Sequence, residues 1–154
     1  MQTEYSGSRQ VMACVEGCAA LADYPRQLIA IRVDVERDDG ASIAAACNAA
    51  VLALLDAGIS MFLTPAAISL CRLPGNVELT IDPLKQEENI SEADLLFSYG
   101  QEQVLLLVEC SGNLATDEYE NAMSLALEAS DAIRSFMRSV VSQSIGLLSS
   151  ANSQ

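Results

Sequence analysis

Cys14 and Cys18 stand one helical turn apart, a spacing from which two thiolates could hold a metal ion. The chain has no histidine and no second cysteine pair, so neither a structural zinc site nor a histidine base or nucleophile–histidine couple is expected. Its cysteines (Cys14, Cys18, Cys47, Cys71 and Cys110) lie mostly in apolar surroundings, where thiols serve as small buried hydrophobes of a reducing compartment. The remaining side chains suited to chemistry are cations that could meet a phosphate or an acid. Arg26 and Arg32 border an apolar run, and Arg134 and Arg138 lie one turn apart near the end of the chain. Such arginines usually form a solvated face, and contact with RNA or a partner subunit is their functional alternative.

The charge balance weighs against direct nucleic-acid binding. With 8 basic and 21 acidic residues the formal charge is −13, whereas a free-standing binder displaces counterions with a basic face. If the chain works on RNA, basic partners must supply much of the attraction. The N-terminal "MQTEYSGSRQ" is polar and no signal core follows it. The apolar stretch through Leu55 is shorter than the ~20 residues that span a bilayer. A soluble, intracellular chain is expected, and 154 residues at 51% hydrophobic suit one domain with a real core.

The periodicity predicts the elements that would position these residues. Val11, Val15, Cys18 and Ala22 mark a helix over 8–23, broken by Pro25. "QLIAIRVDVE" alternates like a strand buried on one face. Asp38-Asp39-Gly40 then turns into an uncharged, alanine-rich helix ending at Ala57, with Gly58 as its C-cap, and a helix without charge is expected to be buried all round. Pro74-Gly75-Asn76 joins the strands of one hairpin, and residues 99–103 join a second. In the second, "VLLLVEC" is apolar on both faces, as in a central strand. Asp117 and Glu120 suit the start of a last helix, with Ala122, Ala126, Ala129, Ile133, Phe136, Met137 and Val140 as its core stripe. The class is α+β, helices packed on a mixed sheet, with flexible ends at 1–7 and 147–154 around a domain over 8–146.

The order of these signals resembles the RNase PH family, and within it the ring subunits of the eukaryotic RNA exosome. The residues that carry the likeness are Tyr24-Pro25-Arg26, Asp39-Gly40, Asn48-Ala49-Ala50, Asp56-Ala57-Gly58-Ile59 and Asp82-Pro83 with Glu87-Glu88, over roughly residues 8–142. The resemblance implies an RNase PH-like sheet of the ribosomal protein S5 domain 2-like kind. Relatives have a further segment before the first helix, so the first strands of that sheet are expected to be missing here, which would leave an unpaired edge.

Active relatives hold phosphate at the N-terminus of the alanine-rich helix through a glycine-threonine-arginine motif. Here Ala41, Ser42 and Ile43 follow Gly40, and no arginine stands there to supply the bidentate grip. Gly40, Ala41 and Ser42 are thus a remnant of a phosphate loop. The family's acidic pair falls on Glu88 and Asp94 as a vestige, for which two solvated carboxylates are the plainer account. The resemblance implies a non-catalytic exosome subunit without cofactor or metal. Ring subunits and cap proteins are its expected partners, with RNA reached indirectly through the ring channel and no membrane. Ribosomal RNA maturation and messenger RNA turnover in the nucleus, nucleolus and cytoplasm would be its setting. The alternative is a weak metal- or phosphate-dependent 3′-to-5′ exoribonuclease using Glu88 and Asp94, with a homodimer possible when isolated.

Overall fold

A computed structural model describes the backbone of residues 3–76 and 78–151 and the side chains of 7–76 and 78–144. Its elements are α1 (Thr3–Glu16), α2 (Ser42–Asp56), β1 (Ala66–Arg72), β2 (Leu79–Ile81), α3 (Lys85–Glu88), β3 (Ala93–Tyr99), β4 (Leu105–Gly112) and α4 (Thr116–Ala151). The four strands form one sheet in the order β2-β1-β3-β4. Every pairing is antiparallel, with Leu70 opposite Leu95 and Leu95 opposite Cys110. Both expected hairpins are present: Gly75, at φ 75°, turns β1 into β2, and a short 3₁₀ turn at Gln101–Gln103 joins β3 to β4. The expected mixed sheet is corrected to an antiparallel one among the described residues.

Strand alternation divides the core into two layers. On one face Ala67 and Leu96 pack with Val11, Cys14 and Val15 of α1 and Ala44, Cys47, Ala50, Val51 and Leu54 of α2. On the other, Ile68, Leu70, Leu95, Phe97 and Tyr99 meet Ala122 and Ala126 of α4. The molecule is therefore an α1/α2 layer, a sheet and an α4 layer.

Several expectations change. "QLIAIRVDVE" forms no strand: it runs without helix, turn or bend from Gln27 to Val35, and no described segment pairs with it. Its pattern is strand-like, with Ile29 and Ile31 packed against the core and Leu28 91% exposed, but a strand also needs a ladder neighbour. α2 is not buried all round, because α1 and the sheet cover two sides and leave Ala45, Ala49 and Ala53 exposed. β4 is an edge strand rather than a central one, with Val108 exposed. In α4, Ala122, Ala126 and Met137 are buried, while Phe136 and Val140 lie exposed. Its first turn is closed not by Asp117 but by Glu118, whose Oε2 accepts the Ala115 N–H at 2.8 Å. The first helix stops at Glu16, and helix occupies 3–7 and 147–151, beyond the domain bounds expected.

Candidate functional site

A cleft of about 840 Å³ opens between α1, the start of α2 and the sheet. Asp94 lies on the same sheet face as Leu96, two residues before it, and so points into the cleft with Ser69, Glu109 and Ser111. The first turn of α2 supplies Ala41 and Ser42, α3 supplies Lys85 and Glu88, and the 31–35 run forms a side wall. The structure thus brings Glu88, Asp94, Ala41 and Ser42 to one place.

Gly40 makes this convergence possible. Its φ is +107°, and a Cβ there would lie 2.1 Å from the Pro83 carbonyl oxygen, so only glycine lets the 38–41 loop touch the segment leading into α3. Lys85 N–H donates to the Asp39 carbonyl at 2.8 Å across this contact. Ala41 follows in the left-handed region at φ 49° and donates its N–H to Glu88 Oε1 at 2.8 Å. The positive end of α2 is therefore met by the chain's own carboxylate.

Lys85 Nζ lies 3.0 Å from Asp38 Oδ2 and 3.1 Å from Glu88 Oε2. Hydrogen bonds that Lys85 donates to Asp38 and then to Glu88 raise its pKa above the ordinary value. The Lys85 hydrogen bond, followed by that of the Gly40 amide, holds the Asp38 carboxyl below the usual range. Ser91 Oγ donates to Asp94 Oδ1 at 2.7 Å and lies 3.0 Å from the Glu88 carbonyl oxygen, linking the two acidic segments. Opposite Asp94 on β1, Cys71 has its thiol pKa raised by burial and then by the Asp94 charge.

The site has one lysine against Asp34, Asp38, Glu88, Asp94 and Glu109, and both nearest acids hold that lysine. Such a surface repels an incoming oxyanion. Among the described residues, no three histidine, cysteine, aspartate or glutamate side chains converge to hold a metal ion. Cys14 and Cys18 are buried in the core, and burial pushes Cys18 up to about 12. A hydrogen bond with Cys14, and then burial, raise Cys47 as well.

The four arginines lie elsewhere. Arg26 is exposed in the left-handed region at φ 64°, and Arg32 pairs with Asp34 at 3.0 Å in solvent. Arg138 is exposed. Arg134 is neither a solvated cation nor free for RNA: with a side chain only 10% exposed, it donates to the Tyr99 and Gly100 carbonyls at 2.8 Å each and pairs with Asp131. Lys85, Gln10 and Glu109 are site residues that the sequence reading does not single out. The "DPLKQEE" run contained Lys85, whereas nothing local marks Gln10 or Glu109, which meet across 99 positions.

Residues 2–60 match the model of the 3′ exoribonuclease family, domain 1, and residues 64–129 that of domain 2 of the same family. The chain is 32% identical over 122 residues to exosome complex component Rrp41 of Archaeoglobus fulgidus, covering 77% of this chain and 46% of that protein. Its identity to the Rrp41 of Thermococcus onnurineus is 32% over 127 residues, covering 82% and 50%. The chain thus spans about half the length of these curated relatives. Its fold is similar to crystal structures of rice Rrp46 (TM-score 0.77, 20% identity, 92% of this chain and 67% of that one). It also resembles that of C. elegans cell-death-related nuclease 5 (TM-score 0.64, 29% identity, 71% and 61%).

Proposed function

The chain belongs to the 3′ exoribonuclease, or RNase PH, family, and from that premise we propose that it is an exosome ring subunit that does not itself phosphorolyse RNA. The names of its curated relatives support the assembly. The observation that carries the inactivity is the hydrogen bond from the Ala41 amide to Glu88. Phosphorolysis needs inorganic phosphate held in line with the scissile bond, and the helix end suited to that anion is closed by a carboxylate. No arginine follows Gly40 to displace it.

In this reading the chain contributes interface and channel wall while other subunits hold RNA, in ribosomal RNA maturation and messenger RNA turnover in the nucleus, nucleolus and cytoplasm. "DPLKQEE" resembles exosome component 5, which favours the corresponding place in the ring, beside other RNase PH-like subunits and beneath the cap proteins. The test pairs two assays on the purified chain: co-assembly with family ring subunits, and incubation of labelled single-stranded RNA with phosphate. Co-assembly without release of nucleoside diphosphates is expected. Diphosphate release, or a chain that stays apart from every ring subunit, overturns the proposal.

A second reading is hydrolysis by Glu88 and Asp94 around a divalent ion, by a chain that pairs with itself in isolation. The structurally similar C. elegans protein is a cell-death-related nuclease, and in this chain Ser91 ties the two acidic segments together. Magnesium- or manganese-dependent cleavage that Asp94→Asn abolishes would establish it. No cleavage with either ion removes it.

A further inference from the structure

Three features of one face remain unused by this reading. First, residues 28–37 make no backbone–backbone hydrogen bond among the described residues, although they run without turn or bend through Val35. Leu28 is 91% exposed and Val35 60% exposed on this run. An unpaired, β-branched run of this kind is a template for an added strand. Second, the cleft it borders joins apolar wall (Val11, Met12, Ile43) to the five carboxylates, with Lys85 as the lone cation among its lining residues.

The third feature is Gln10. It is only 8% exposed, lines this cleft and gives its amide N–H to Glu109, yet among the described residues its Oε1 accepts nothing. A buried acceptor without a donor destabilises the fold, and a ligand's N–H would relieve that cost.

We propose that this cleft and the 28–36 run together form a docking groove for an extended basic segment of a partner protein. The segment adds as a strand beside 28–36, turns β-branched side chains onto the apolar wall, and sends arginine or lysine N–H groups to Glu109, Asp34 and Gln10 Oε1. Charge selects this occupant. RNA and a second copy of the chain, itself at −13, meet repulsion here, whereas a cationic strand gains at every acid. The groove does not depend on whether the chain is an inert or an active nuclease subunit.

The test uses the full chain and a fluorescent decapeptide of alternating valine and arginine. A proline–arginine decapeptide keeps the charge but loses every second amide N–H and has its φ fixed away from regular strand geometry, and a valine–glutamate decapeptide reverses the charge. Anisotropy is expected to show binding of the valine–arginine peptide alone, with hydrogen-exchange protection at 28–36. The exposed change Asp34→Asn combined with Glu109→Gln should weaken binding about tenfold, and Val33→Pro should remove the protection. Equal binding of the proline–arginine peptide, no binding of any peptide, preference for single-stranded RNA, or protection of 28–36 by self-association alone would each overturn the proposal.

Discussion

The Ala41 amide donates to Glu88 Oε1 at 2.8 Å, so a carboxylate 47 positions away closes the first turn of α2. Side chains that satisfy a helix's first amides contribute about 1 kcal/mol, with a further gain from negative charge at the dipole's positive end. Glu88→Ala is expected to lose about 1–2 kcal/mol in urea denaturation, and Glu88→Gln, which keeps an acceptor, to lose less. Glu88→Ala also opens the helix end and leaves Lys85 held by Asp38 alone. It should therefore broaden the phosphorus resonance of added phosphate where the wild type does not.

Gly40 and Gly58 separate close approach from backbone strain. Both have positive φ, at +107° and +69°, but a Cβ at Gly40 meets the Pro83 oxygen at 2.1 Å while one at Gly58 meets nothing within 4 Å. Gly58→Ala should cost about 1 kcal/mol, the strain alone. Gly40→Ala should cost about 3 kcal/mol or more, because two backbone segments must separate. Equal losses in chemical denaturation would show that the contact with Pro83 contributes nothing.

The same contrast explains what could be read before the fold was known. Hairpins at Pro74-Gly75 and 99–103 rest on local turn chemistry, and α2 on local composition, so these elements were legible. Whether 28–36 becomes a strand depends on a neighbour, and whether β4 is central depends on sheet order, and neither is written within a ten-residue window. The site divides likewise. Family likeness drew attention to Gly40, Glu88 and Asp94. The Glu88 cap on Ala41, the Lys85 bridge and the Gln10–Glu109 pair join segments distant in sequence, and only packing reveals them. The α4 arginines show the limit of helical spacing, which made Arg134 and Arg138 alike although one is internal.

Arg134 should behave as a structural residue. Its guanidinium closes the end of β3 by donating to the Tyr99 and Gly100 carbonyls. Hydrogen bonds to a charged group contribute about 1.5–3 kcal/mol, and a lysine cannot reproduce the fork. Arg134→Ala is expected to lower stability by about 2–3 kcal/mol and Arg134→Lys by somewhat less, whereas the exposed Arg138→Ala should change it by under ~0.5 kcal/mol. Urea denaturation of the three variants decides this.

Glu118 adds acid sensitivity. Its carboxylate accepts the Ala115 amide at 2.8 Å and Arg72 Nη1 at 3.0 and 2.9 Å, and these partners, the amide first, hold its pKa below the ordinary range. A depressed folded pKa gives stability that is present above the unfolded value, about 4.3, and is lost as pH falls through the folded one. Urea midpoints measured from pH 7 down to pH 3 should fall less steeply in Glu118→Gln than in the wild type.

Asn48 accounts for the asparagine in the alanine-rich helix. β2 pairs only with Leu70–Arg72 of β1, so the outward N–H and C=O of Ala67 have no strand to meet. Asn48 takes the strand's place: Oδ1 accepts the Ala67 N–H at 2.7 Å, and Nδ2 donates to the Ala67 carbonyl at 2.9 Å. One carboxamide thus satisfies both groups of a buried residue and ties α2 to the sheet at a fixed height. Aspartate would keep the acceptor but offer no donor to the carbonyl, and would put a charge against the apolar layer. Leucine would satisfy neither group. The expected order of stability is wild type, then Asn48→Asp, then Asn48→Leu, with the leucine variant down about 2–4 kcal/mol for two unmet buried groups. In hydrogen exchange the Ala67 amide should lose protection in Asn48→Leu ahead of the β1–β3 ladder amides, because only its partner has been removed. Simultaneous loss across β1 and β3 would mean that the clamp holds the sheet as a whole rather than this single edge position.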